Sequence, residues 1–285
     1  MDQLVKTKEA VKNLTEFLRK TNEARAPQNE LAHLFGDNQD RSRCSIDVEF
    51  AFTRSPIAHR VPLYFTVPHE VTWGSICFIT RPPSASFKTK VLALSEDGNE
   101  VAQRIKRVMD TKELANQLGE PVAVRAFSKS FNNFVLFNVP KYPKQLTGEF
   151  LGHQNLPVWI PKKGTFAESL SYATRTVVVS RRGHNMVVCR VGHSGLSNEA
   201  IVENIEALVE KLTRHHSGAP IGDVLHIRVA ATNLDGVRAK LPIYGQKIDL
   251  NREVTVPAPR KSLRGKRPLK RDEKKGGEKK RKVEA

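Results

Sequence analysis

The sequence predicts an α/β (α+β) protein with a discontinuous first domain, an inserted α/β second domain and a disordered basic C-terminal tail. Three observations predict it. Both ends of the body carry an amphipathic helix beside apolar strands, and neither block is large enough for a comfortable core alone. The middle alternates short apolar strands with helical stretches, the pattern of a small, partly parallel α/β unit. Residues 257–285 have almost no apolar content and cannot bury enough surface to fold. Pairing the two ends gives a first domain from residues 1–73 and 161–250, an inserted domain of 74–160 and a tail of 251–285.

The elements follow in order. Within residues 3–20, Leu4, Val11, Leu14 and Leu18 recur at helical spacing among Lys, Glu and Arg. Residues 44–52 alternate Ile46, Val48 and Phe50 with Asp47 and Glu49, which reads as a half-buried strand. After a turn at Ser55-Pro56, residues 61–67 read as the strand that pairs with it. In the middle block, 76–79 and 91–94 read as strands. Residues 99–109 read as a helix with Val101, Ile105 and Val108 on one face. Thr111 is positioned to cap a short helix that stops at Gly119. Residues 122–127 read as a strand, 134–137 as a short apolar run, 143–150 as a short helix and 152–164 as a loop. Residues 175–180 and 186–191 read as strands joined by a hairpin turn, Arg181-Arg182-Gly183-His184-Asn185. Residues 197–214 form the clearest helix, capped by Ser197, with Ile201, Ile205, Leu208 and Leu212 on one face. Residues 224–230 read as the final strand.

Charge narrows the function. The net charge is +17 and the isoelectric point is near 9.9, a balance that favours polyanions, RNA or DNA above all. Residues 260–285 hold 13 basic and 4 acidic residues, a net of +9, which leaves +8 on residues 1–259. The body is therefore basic without its tail. Mean hydropathy is −0.43, and no apolar run nears the roughly 18 residues that span a bilayer. The first 20 residues lack the apolar core of a secretory signal, so a soluble, non-secreted protein is expected.

Chemistry finds no footing in the motifs. Cys44, Cys77 and Cys189 are far apart and read as small buried hydrophobes rather than disulfide or zinc partners. The nine histidines form no HExxH, and the P-loop, G-x-G-x-x-G and G-x-S-x-G patterns are missing. His215-His216 is expected at a helix end, its rings pointing apart and complementing the helix dipole. Trp73 and Trp159 read as packing residues. A non-enzymatic protein is expected, with no cofactor, metal or small-molecule substrate and no membrane partner.

Several segments carry a family resemblance. Ser45-Ile46-Asp47-Val48-Glu49, the stop Val67-Pro68-His69, and Phe150-Leu151-Gly152 with Asn155-Leu156-Pro157-Val158 occur in order. Residues 187–192 follow, then Ser197 and Glu203-Asn204-Ile205. Together, over about residues 3–250, these resemble the ribosomal protein L-one family. The resemblance implies a first domain made from both chain ends, a hinge, and binding to ribosomal RNA. Ribosomal members carry a Thr-Met-Gly-Pro-Gly type segment after the last strand, which packs against RNA. Here that place reads Ala231-Thr232-Asn233-Leu234-Asp235-Gly236. The departure resembles the divergent ribosome-biogenesis branch more than the structural stalk protein.

Phosphate contacts need fixed cations, and Arg adds planar stacking on bases. The RNA-binding candidates are Arg54 and Arg60 beside His59, Lys162 and Lys163 at the hinge, and Arg181 and Arg182 on the turn beside His184. Arg190, Thr232, Arg238 and Lys240 complete the set. In the tail, Lys266, Arg267, Lys270, Arg271, Lys279, Lys280, Arg281 and Lys282 read as a nuclear-import signal or a nucleic-acid arm. The expected partners are ribosomal RNA or its precursor and pre-ribosomal proteins, in the nucleus and nucleolus. The alternatives are a structural ribosomal protein of the stalk and a nuclear protein–protein interaction module.

Overall fold

The structure, a computed structural model, describes residues 2–23, 43–54, 58–146, 156–160 and 164–246. The predicted tail, Lys162 and Lys163 lie outside the described residues. In chain order the elements begin with α1 (Asp2–Glu23), β1 (Ser45–Phe52), β2 (Leu63–Thr66) and β3 (Ile76–Thr80). Then come α2 (Ala85–Glu96), α3 (Glu100–Gln103), β4 (Ile105–Asp110), α4 (Thr111–Gln117) and α5 (Pro121–Ser130). Next are β5 (Asn133–Phe137), β6 (Val158–Ile160), α6 (Phe166–Thr174) and β7 (Thr176–Val179). The last are β8 (Met186–His193), α7 (Asn198–Arg214), β9 (Val224–Thr232) and β10 (Arg238–Gly245).

The fold is mixed α/β with two main sheets. The first has the order β10-β9-β1-β8 and its pairings are antiparallel. It joins β1 from the N-terminal part to three strands from the C-terminal part. One face carries Ile46, Val48, Phe50, Val187, Cys189, Ile227 and Val229 into a single core with Val11, Leu14 and Leu18 of α1 and Ile201, Ile205, Leu208 and Leu212 of α7. Both helices are amphipathic at the spacing the sequence shows. The three cysteines are buried and in no disulfide, and burial pushes the Cys77 thiol up to about 12.

The second sheet has the order β4-β3-β5-β6, all parallel. Helices cover both faces. Cys77, Ile79, Met109, Leu136 and Phe134 pack with α4 and α5 on one side. Ile76, Phe78, Val135 and Phe137 pack with Ala102, Leu170 and Ala173 on the other. Between the sheets, β2 and β7 form a two-stranded antiparallel ladder. It continues as Val67 N–H and Val71 N–H donate to the Arg175 and Thr174 carbonyls, both at 2.8 Å. The outgoing and returning chains therefore run side by side.

Several sequence expectations are corrected. Residues 61–67 do not pair with β1; their strand, β2, pairs with β7. Residues 91–94 belong to α2, and 122–127 lie in α5, begun by Pro121 at its first turn. Residues 99–109 divide into α3 and β4, with Asn99 capping α3 through its bond from Ala102 N–H at 3.0 Å. Asp110, not Thr111, caps α4. The segment 143–150 holds only a single 3-10 turn, Lys144–Leu146, among its described residues, and the expected loop 152–164 contains β6. The segments 175–180 and 186–191 are no hairpin, because β7 pairs with β2 and β8 with β1. Helix α6 went unread; Thr165 and Glu168 cap it reciprocally. The last strand is β10, not β9. His215 and His216 stack at 4.3 Å rather than point apart, and burial lowers the His215 imidazole, which favours its neutral form at the helix end.

One side chain explains two of the family-like segments. Asn204, fully buried on α7, accepts from His69 N–H at 2.9 Å. Its amide donates to the Val191 carbonyl at 2.9 Å and the His69 carbonyl at 3.4 Å. The Pro-His stop is thus fastened to the helix that returns to the first core. Replacing Asn204 with Ala leaves these buried backbone groups unpaired, and we expect about 2 kcal/mol of destabilisation in urea titration. An unchanged midpoint would contradict this role.

Candidate nucleic-acid interface

The first sheet has a second face, turned away from α1 and α7. Alternation places Asp47 and Glu49 of β1, Val188 and Arg190 of β8, Arg228 and Thr232 of β9, and Arg238 and Lys240 of β10 on it. Both carboxylates are buried, at 2% and 3% exposure, so β1 is buried on both faces rather than half-buried as its alternation suggests. Arg238 reaches Glu49 at 2.8 Å and Asp47 at 3.4 Å, and Lys240 reaches Glu49 at 3.1 Å. The Arg190 guanidinium carbon lies over Trp73, 4.7 Å from the ring centre, and the group bonds weakly to the Asn132 carbonyl and the Asn133 side chain. Burial lowers the Arg190 guanidinium from its ordinary value, and Asp47 opposes that shift. Three predicted phosphate ligands are therefore already engaged by protein groups, Arg190 and Arg238 half-buried and Lys240 still exposed. Thr232 is half-buried and sits opposite Arg238 in the ladder.

The turn from β9 to β10 accounts for the altered glycine segment. Asn233 accepts from Asp235 N–H at 3.1 Å and Val237 N–H at 2.8 Å. Gly236 has φ +83°, a conformation that suits glycine. Leu234 and Val237 project from this turn at 39% and 56% exposure.

At the far end of β1, two loops meet. His59 N–H donates to the Arg181 carbonyl at 2.9 Å, and the Arg181 guanidinium donates twice to the Val61 carbonyl, at 3.1 and 2.7 Å. Phe52 N–H bonds the Asn185 carbonyl at 2.8 Å. Gly183, at φ +81°, brings its backbone against Ala58, where a Cβ would stand 3.3 Å away. These contacts gather Arg54, Arg60, Arg182 and His184 at one edge, with Arg60, Arg182 and His184 exposed. Among the described residues no carboxylate forms an ion pair with Arg54, Arg60 or Arg228. The predicted set thus divides. Arg54, half-buried, and Arg60 and Arg182, exposed, share one edge. Arg181 bonds the loop, while Arg190, Arg238 and Lys240 belong to the face around Asp47 and Glu49.

Over residues 8–233 the chain matches the model of the Ribosomal protein L1p/L10e family. The chain belongs to this family. No curated protein matches it. Members of the family bind ribosomal RNA and are in general not enzymes. The matched span begins in α1, crosses the second sheet and ends just after β9. It stops short of β10, so Arg238 and Lys240, which neutralise Glu49, lie beyond it.

Sequence reasoning missed Arg228 and the burial of Asp47 and Glu49. The signal was present for Arg228: it alternates with Ile227 and Val229 in the strand read at 224–230. It was absent for the carboxylates, because an isolated strand pattern does not reveal that its polar face will be covered.

Burial raises the Asp47 carboxyl above its ordinary value, outweighing the pull of Arg190 and Arg238. A raised carboxyl favours folding when protonated, so its contribution is complete below the unfolded value and is lost as pH rises through the folded one. We expect Asp47→Asn to gain stability relative to the parent as pH rises from about 4 to 7, measured by urea midpoints. A difference that is constant across this range would contradict it.

Proposed function

We propose that this protein binds ribosomal RNA precursors and acts in ribosome biogenesis, as a component of pre-ribosomal particles in the nucleolus. The observation that carries the reading is the cationic edge of half-buried Arg54 with exposed Arg60 and Arg182, on loops at the end of a sheet in a protein of a ribosomal protein family. Phosphate oxygens of a helical RNA need such fixed, exposed cations, and recognition there is by shape more than by sequence. The basic segments of the tail, residues 266–282, support nuclear import and add non-specific affinity. The altered segment 231–236, now a tight Asn233-stapled turn, supports an assembly role over a permanent place in the stalk.

Arg54, Arg60 and Arg182 together replaced by Glu should weaken binding to ribosomal RNA fragments by at least roughly tenfold at matched salt, with a shallower salt dependence. Arg181 is left in place, because its guanidinium holds the Val61 carbonyl. Unchanged affinity would remove this edge from the interface.

Sedimentation of cell extracts separates assembly from residence. The protein should travel with precursor particles and be missing from translating ribosomes, and deletion of residues 260–285 should spread it into the cytoplasm. Recovery on translating ribosomes would favour the structural stalk role. Nuclear accumulation without the tail would end the import reading.

A further inference from the structure

A cleft of about 290 Å³ opens between the polar face of the first sheet and the second sheet. It stands near the lower end of the roughly 300–1,000 Å³ range of small-molecule sites. Val135, Val158, Val178 and Val188 give it apolar walls. Asn132 and Asn133 border it with side-chain amides. The Asn132 side-chain oxygen Oδ1 accepts from Ser75 N–H at 3.1 Å and from its hydroxyl at 2.9 Å, which fixes the amide and leaves its NH2 as a donor. Arg190, over the Trp73 ring, and Asp47 complete the inner lining. Arg182 and His184, both exposed, line the cleft from the loop that also forms the cationic edge.

The lining selects its occupant. Asp47 disfavours a phosphate, and Arg182 and Arg190 disfavour a metal cation. A flat, neutral ring with hydrogen-bonding edges suits valine walls, amide borders and planar Arg and His groups on which to stack. Because Arg182 serves both the cleft and the edge, a strand whose phosphates lie on that edge passes beside the cleft.

We propose that the cleft takes an unpaired nucleobase swung out of the bound RNA. This deepens the RNA-binding reading and rests on it. The shared chemistry is a nucleobase, supplied either by the RNA strand or by a free nucleotide.

The test uses the full chain and three RNA hairpins of one sequence: fully paired, with a single-nucleotide bulge, and with the same bulge abasic. Fluorescence anisotropy should show the bulged hairpin binding roughly tenfold tighter than the abasic one. Val188→Trp, which fills the cleft from its half-buried face, should erase that difference and leave affinity for the paired hairpin unchanged. Val178→Phe repeats the test from the opposite wall if the first variant is unstable to heat. Nucleoside monophosphates that abolish the bulge advantage, but not paired binding, would place the same base site in reach of a soluble source. Equal affinity for all three hairpins, or a bulge advantage that survives in both filled variants, would overturn the cleft proposal alone. Absence of binding to every hairpin and to ribosomal RNA would overturn the RNA-binding reading with it.

Discussion

The structure depends on a strand buried on both faces that nonetheless carries two acids. β1 is hydrogen-bonded to β8 on one side and β9 on the other, and Asp47 and Glu49 are sunk in its polar face. Buried carboxylates are tolerated only when cations and hydrogen bonds meet them. Here the cations come from Arg190 on β8 and from Arg238 and Lys240 on β10, all in the C-terminal part of the chain. The two ends are joined by backbone ladders, by a shared apolar core and by this charge lattice. Removing one partner of a fully buried pair typically costs about 3–5 kcal/mol, and this lattice ties β10 and β8 to β1 in the order β10-β9-β1-β8.

That demand sorts the basic residues. A cation opposite Glu49 is occupied before any RNA arrives, whereas Arg54 and Arg60, at the strand end, pair with no carboxylate among the described residues. Arg238 and Arg54 look equivalent in sequence. They differ because Arg238 reaches two buried acids across the intervening strand β9 and Arg54 lies just past the end of β1. The net positive charge of the body is therefore larger than its usable cationic surface.

The first sheet was more legible in sequence than the second, for a physical reason. Antiparallel strands with one helix-covered face keep a period of two, and α7 has a well-defined apolar stripe and a Ser197 cap, so both could be read. In the parallel sheet, strands covered on both faces become short apolar runs, and the crossover helices are too short to show a full stripe. Residues 122–127 hold Val122, Val124 and Phe127, which satisfies a strand pattern as well as a helix, and only Pro121 at the first turn separates the two. Residues 91–94 pose the same ambiguity, with Val91 buried and Leu92 62% exposed. The basic edge was legible because both its loops carry turn formers beside Arg. The occupied cations were not, because long-range partners up to 191 residues away in the chain leave no local trace.

The central claim is that the body, and not the tail alone, holds the RNA. Crosslinking in cells, followed by mass spectrometry of peptide–RNA adducts, tests it most directly. Adducts are predicted in residues 53–60, 181–190 and 226–228. Adducts confined to residues 247–285 would contradict the account.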